Sequence, residues 1–199
     1  MEFISVRHVL KRSLFHIIAG SLPAIALFIF PRLVVQIALT VTTILLLSFE
    51  AIRLRVSSLN EWFSAWFAPL LRKEEEGKIT GSSYLLIGYL VTVLVFPQDI
   101  AALAILFASL GDPAATLIGT WKGRIKLWRK SIEGNIACLI VCLCIGVLIA
   151  ILLGTPSLMV AITGAILATI LQALPLRLND NLIISFVSAA GMMAVSILV

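Results

Sequence analysis

Asn135-Ile-Ala-Cys-Leu-Ile-Val-Cys-Leu-Cys-Ile-Gly-Val-Leu-Ile-Ala-Ile-Leu-Leu153 runs for 19 residues without a charged side chain. At about 1.5 Å of rise per residue, a helix of that length covers roughly 28 Å, close to the ~30 Å hydrocarbon core of a bilayer. Six more apolar runs accompany it: Phe15–Phe30, Leu33–Phe49, Ser82–Phe96, Ile100–Ile118, Leu158–Leu174 and Leu182–Val199. Of the 199 residues, 61% are hydrophobic and 13% charged, and the mean hydropathy is +1.13. Soluble domains run nearer about 45–50% apolar and about 25% charged. A single core in so short a chain could not hide this much apolar surface. That excludes a soluble fold, a disordered chain and a disulfide-stapled secreted module. The expectation is an all-α polytopic membrane protein of about seven transmembrane helices, with residues 1–199 forming one transmembrane domain. The first run follows a basic stretch, as a signal peptide would. No small-residue cleavage site precedes a soluble remainder, so it reads as an uncleaved span.

Cations set the orientation. Arg7, Lys11 and Arg12 precede the first run; Arg53, Arg55, Arg72, Lys73 and Lys78 lie between the second and third. Lys122, Arg124, Lys126, Arg129 and Lys130 lie between the fourth and fifth, and Arg177 between the sixth and seventh. Alternate connections thus hold 14 of the 15 cations, Arg32 being the exception. This places the amino terminus in the cytoplasm and the carboxyl terminus outside. It also accounts for the net charge of +5 and the pI near 9.5 without nucleic acid. Cys138, Cys142 and Cys144 share one apolar run and match no zinc or redox spacing, so they read as small packing residues.

Two basic connections are long enough to have structure. Leu59, Trp62, Phe63, Trp66, Phe67 and Leu70 repeat as one face of a helix. They predict an amphipathic helix over Leu59–Leu70 in the cytoplasmic headgroup layer, closed by Pro69 and Arg72–Lys73. Trp121-Lys-Gly-Arg-Ile-Lys-Leu-Trp-Arg-Lys130 is either a hairpin turning at Lys122–Gly123 or an interfacial loop.

Polar chemistry gathers on the basic side. Its clusters are Glu50-Ala-Ile-Arg53, Glu74 to Ser83, Gly111-Asp-Pro113, Lys130-Ser-Ile-Glu-Gly134 and Asn179-Asp-Asn181. Three runs begin with residues suited to a helix N-terminus: Thr80-Gly-Ser82, Ser131 with Glu133 and Gly134, and Asn179-Asp-Asn181. Each is an ordinary cap or, beside Lys130, part of an anion cradle. Asp112 lies roughly 20 Å along its run at helical rise, where an ionisable group is costly and points to function. Before Pro113 it also suits the cap of a restarted helix. His16 reads as a ring reaching to the interface, Glu50 with Arg53 as a salt bridge at the edge, and Glu74 to Glu76 as a solvated charge run. His8, Asp99 and Gln172 read as structural. Carboxylates, a lysine and helix N-termini are what a Mg²⁺–polyphosphate site needs. Neither a G-x-x-x-x-G-K-[ST] nor a G-x-G-x-x-G loop occurs.

The succession Arg12-x-x-x-His16-x-x-x-Gly20, Glu50-Ala-x-Arg53, Gly77-x-x-Thr-Gly-Ser-Ser-Tyr-Leu-Leu86, Leu110-Gly-Asp-Pro-Ala-Ala115, Lys130-Ser-x-Glu-Gly134 and Asp180-Asn181 resembles the CTP-dependent lipid alcohol kinases. These include dolichol kinase, phytol or farnesol kinase and the CTP-dependent diacylglycerol kinase, and the likeness spans nearly the whole chain. Lys-Ser-x-Glu-Gly is also similar to an element of phosphatidate cytidylyltransferases, whose His-Gly-Gly stretch near the carboxyl end has no counterpart here. Ser13 stands where the kinases tend to carry a second basic residue. The resemblance implies transfer of the γ-phosphate of CTP to a lipid alcohol at the cytoplasmic face, with Mg²⁺. Asp112 and Asp180 would hold the metal or orient the hydroxyl, and Lys130 would act on the phosphates. Thr80, Gly81, Ser82, Ser131, Glu133, Gly134 and Asn181 would bind nucleotide, and Arg12, His16, Glu50 and Arg53 would support the substrate side. The implied partners are a lipid alcohol, a nucleoside triphosphate and the bilayer. The alternatives are a cytidylyltransferase making a CDP-lipid and a non-enzymatic transport subunit.

Overall fold

The computed structural model describes residues 6–71, 75, 77–128, 130–175 and 179–199. The expectations for Arg72–Lys73, Glu74, Glu76, Arg129 and Arg177 lie outside the described residues. The fold is all-helical apart from one short hairpin. Its helices are α1 (Val6–Ile29), α2 (Arg32–Arg53), α3 (Ser57–Phe67), α4 (Gly81–Val95), α5 (Gln98–Leu106) and α6 (Asp112–Lys122), then α7 (Ile132–Leu153), α8 (Leu158–Ala173) and α9 (Asp180–Ser196). A π-helical turn, Phe107–Gly111, joins α5 to α6 as one rod, and strands β1 (Lys126–Leu127) and β2 (Lys130–Ser131) precede α7.

Every apolar run is helical. Among the described residues, four helices are long and apolar enough to cross a membrane: Arg7–Ile29, Arg32–Arg53, Gln98–Lys122 and Ile132–Leu153. The other three have 15, 16 and 17 residues, about 23 to 26 Å of helix against ~30 Å of hydrocarbon.

The α5–α6 rod is the axis of the bundle. Ala101 to Ile105 are fully buried, because the alanines let α1, α4 and α9 close around them. Buried positions on α7 are Asn135 and, at every fourth position, the small residues Gly134, Cys138, Cys142 and Gly146. Ile136, Ile140, Leu148 and Ile151 face outward. Large apolar side chains on the outside and small ones within match an environment of lipid, where close backbone approach drives helix association.

Hydrogen bonds fix two ends of the bundle. At one, Arg32 donates to the carbonyls of Val93 (2.9 Å) and Leu94 (3.0 Å), and Gln98 reaches the carbonyls of Leu27 and Phe30. The cation left over by the alternation is thus bound to backbone at the bare end. The other end gathers the basic connections and nearly every polar cluster.

Three expectations need correction here. The rod is not ended at Asp112-Pro113: Asp112 is itself helical (φ −62°, ψ −47°), and the chain passes proline through the widened π turn. That turn is a known way of absorbing the missing N–H and ring clash of Pro. The hairpin turns after Leu127, with Trp128 at φ 53° and Leu127 opposite Lys130, rather than at Lys122–Gly123, because α6 continues through Lys122. Finally, the amphipathic helix expected over Leu59–Leu70 is α3 and ends at Phe67, before Pro69. Phe63 is turned onto Phe49 (ring centroids 5.5 Å apart) and lies under the Arg53 guanidinium, while Trp62 and Trp66 remain exposed.

Candidate functional site

Two polar knots lie side by side at the basic end. The first is built on α2. Arg53 and Glu50 are 0% and 2% exposed and pair at 2.7 Å. Arg53 also donates to Asn60 Oδ1 (2.5 Å) and to the Lys78 carbonyl (2.6 Å). The other carboxylate oxygen of Glu50 accepts from the Thr80 hydroxyl (2.7 Å), the Thr80 N–H (3.3 Å) and the Ser83 hydroxyl (3.3 Å). The salt bridge expected of this i, i+3 pair is therefore present, but buried rather than at an edge. The pair is the buried hub that fastens α2, α3 and the start of α4. Glu75, expected to be part of a solvated run, accepts the Gly81 N–H at 3.1 Å. The first turn of α4 thus already faces two carboxylates.

Lys130 makes the second knot. Its Nζ donates to Asp180 Oδ2 and Gln172 Oε1, both at 2.7 Å, and lies 3.9 Å from Asp112 Oδ1. Four elements contribute: α6, β2, the last turn of α8 and the first turn of α9. Lys130, Asp112 and Asp180 are 24%, 15% and 27% exposed, open enough to meet a ligand and sheltered enough for their charges to be felt. Ser131 caps α7 by accepting the Gly134 N–H at 3.1 Å. Glu133 accepts the N–H groups of Arg124 (2.9 Å) and Ile125 (3.2 Å), which ties the hairpin back onto α7. A Cβ on Gly134 would sit 2.5 Å from the Ala115 carbonyl oxygen, so this glycine lets α6 and α7 touch.

Asn181 joins the knots, donating to the Gly81 carbonyl at 3.1 Å. Asn179 caps α9 through the Asn181 N–H. Ser82 is exposed and Arg12 half-buried. His16 does not reach outward: its Nε2 is buried, on the α1 face whose Gly20 lies against Tyr89 and Ser109. His8 bonds the Leu71 carbonyl at 3.1 Å. Of the sequence candidates, Asp112, Lys130 and Asp180 meet directly. Glu50, Arg53, Thr80, Gly81 and Asn181 form the neighbouring frame, while Arg12 and His16 stand on α1. Gln172 was missed, although an amide inside an apolar run was the available signal.

A hydrated Mg²⁺ is commonly held by one or two carboxylates plus substrate phosphates. Among the described residues no group of three acidic or thiol ligands occurs. Asp112 and Asp180, already flanking a cation, suit the two-carboxylate arrangement.

Over 178 residues, 86% of this chain and 87% of the other, the sequence is 30% identical to the uncharacterized protein RP860 of Rickettsia prowazekii (strain Madrid E). No family model matches the chain, and no solved structure matches it.

Proposed function

We propose, for a chain that belongs to the family of the Rickettsia prowazekii protein RP860, a membrane-embedded kinase that moves the γ-phosphate of CTP to the hydroxyl of a lipid alcohol. The observation that carries this reading is the meeting of Lys130 with Asp112 and Asp180 at 3.9 and 2.7 Å, residues that the resemblance selects independently. The acceptor oxygen attacks the γ-phosphorus and forms the new O–P bond. The bond from that phosphorus to the β,γ-bridging oxygen breaks, and CDP leaves with the electron pair. The hydroxyl proton passes to a carboxylate of the Asp112–Asp180 pair. Lys130, held in place by Gln172, exchanges an aspartate partner for phosphate oxygens and neutralises the charge that develops there. Mg²⁺, when bound by Asp112 and Asp180, would screen the phosphates. The preference for CTP over ATP comes from the resemblance alone.

The test is purified protein in detergent with radiolabelled CTP or ATP and a panel of lipid alcohols. Monophosphorylated alcohol and nucleoside diphosphate are expected. A CDP-lipid with pyrophosphate would make the protein a cytidylyltransferase, and no turnover with any pair would remove the enzymatic reading. Lys130→Ala should lower turnover about 100-fold or more, the usual scale for losing one group that stabilises transition-state charge. Wild-type kinetics would show that Lys130 merely obeys the charge rule of its connection.

We also propose seven crossings, with the basic end in the cytoplasm, resting on the cation split and on the two ends of the bundle. Cysteines introduced near Thr155 should react with an impermeant reagent from outside, and those near Lys126 should not. The reverse pattern would put the lysine knot out of reach of cytoplasmic nucleotide.

A further inference from the structure

Behind Lys130 the seam between α7 and α8 holds two amides whose polar atoms are not all used. Gln172 is 1% exposed. Its Oε1 must be the atom facing Lys130, since an ammonium only donates, so Nε2 points away, buried and unpartnered. Asn135 is 8% exposed, and both Oδ1 and Nδ2 are buried without a partner. Helix register puts these amides level. Thr169 on α8 touches Cys138 Sγ on α7 at 3.8 Å. One turn toward the basic end from that contact lies Asn135 on α7 and Gln172 on the antiparallel α8.

We infer that Asn135 and Gln172 form a subsite for the hydroxyl of the lipid acceptor, an inference that rests on the kinase reading above. The donor count supports a hydroxyl over other groups. The seam offers two donors, Gln172 Nε2 and Asn135 Nδ2, and one acceptor, Asn135 Oδ1. An alcohol accepts from one of the amide donors and donates to Oδ1 on binding, and keeps one lone pair free for the attack before its proton passes to the Asp112–Asp180 pair. A phosphate or carboxylate would leave Oδ1 unanswered, and an ammonium would leave both donors unanswered. The seam lies at the first turn of α7 and the last turn of α8, between apolar helices, at the depth where the head of a long-chain alcohol rests while its tail stays in hydrocarbon. There the oxygen waits beside the Lys130 knot.

The test needs no nucleotide. In detergent, farnesol should raise the melting temperature of the wild-type protein by several degrees, and its methyl ether, which has no proton to give Oδ1, should raise it much less. Asn135→Leu should lose the response to farnesol, yet melt no lower than wild type, because an unpaired buried amide is replaced by an apolar side chain of similar size. In turnover, Asn135→Leu should raise KM for the alcohol at least tenfold and leave KM for the nucleotide unchanged. Equal shifts from alcohol and ether would overturn the subsite on the wild-type protein alone. So would an Asn135→Leu variant that keeps the farnesol shift, or that melts far lower with unchanged KM, the mark of an amide holding a structural water. Phosphoryl transfer without an alcohol-specific shift would sink the subsite and spare the kinase. A specific shift with no transfer from any nucleotide would do the opposite.

Discussion

Asp112→Asn should fold and melt like the wild-type protein and lose phosphoryl transfer by about two orders of magnitude or more, the scale expected when charge is removed from a preorganised electrostatic site. The substitution keeps shape and hydrogen-bonding size. Asp112 is a helical residue rather than a cap, and an asparagine oxygen accepts near a helix N-terminus as a carboxylate does, so no helix end is undone. Lys130 keeps its 2.7 Å partner Asp180 and is not stranded. A carboxylate deep in a span costs about 2.5–3.5 kcal/mol on insertion scales, so removing the charge spares that cost. Function alone should suffer. Wild-type activity should vanish with chelator and return with Mg²⁺. An active Asp112→Asn protein would mean that the reacting groups lie elsewhere.

Arg53→Met has the largest expected effect on folding. The variant leaves Glu50 buried with a negative charge and strips bonds from Asn60 and the Lys78 carbonyl. Breaking a buried pair from one side costs about 3–5 kcal/mol. The detergent-solubilised variant should therefore melt far below wild type or fail to accumulate. Glu50→Leu together with Arg53→Met should recover part of the loss, since the stranded charge is then gone. A single variant that melts with the wild type would show that the hub does not hold α2 to α4.

How much of this was legible in the sequence differs by element. The helices were, because an uncharged run such as Asn135–Leu153 leaves the backbone no alternative in an apolar setting. The hub was not: the spacing of Glu50 and Arg53 shows that they can touch, but not that Thr80 and Ser83 arrive from another helix to bury them. The turn of the hairpin was misplaced because Gly123 looks like turn chemistry. The fold instead uses this glycine for close approach, with a Cβ there lying 2.8 Å from Ser131. Asp112, Lys130 and Asp180 were each visible as a charge beside a helix end. Gln172 was not, because its role depends on which side chain reaches it from 42 residues away.

The π turn at Phe107–Gly111 has a rotational consequence. One residue more than an α-turn needs is, in effect, an insertion that was never excised, and in a helix one residue is about 100° of azimuth. Upstream of it, from Ile100 to Leu106, the rod is apolar on every side and buried by its neighbours; downstream, Asp112 meets Lys130. The wide turn therefore acts as a phase offset, allowing one continuous rod to serve first as the hydrophobic axle of the bundle and then as a wall of its polar chamber.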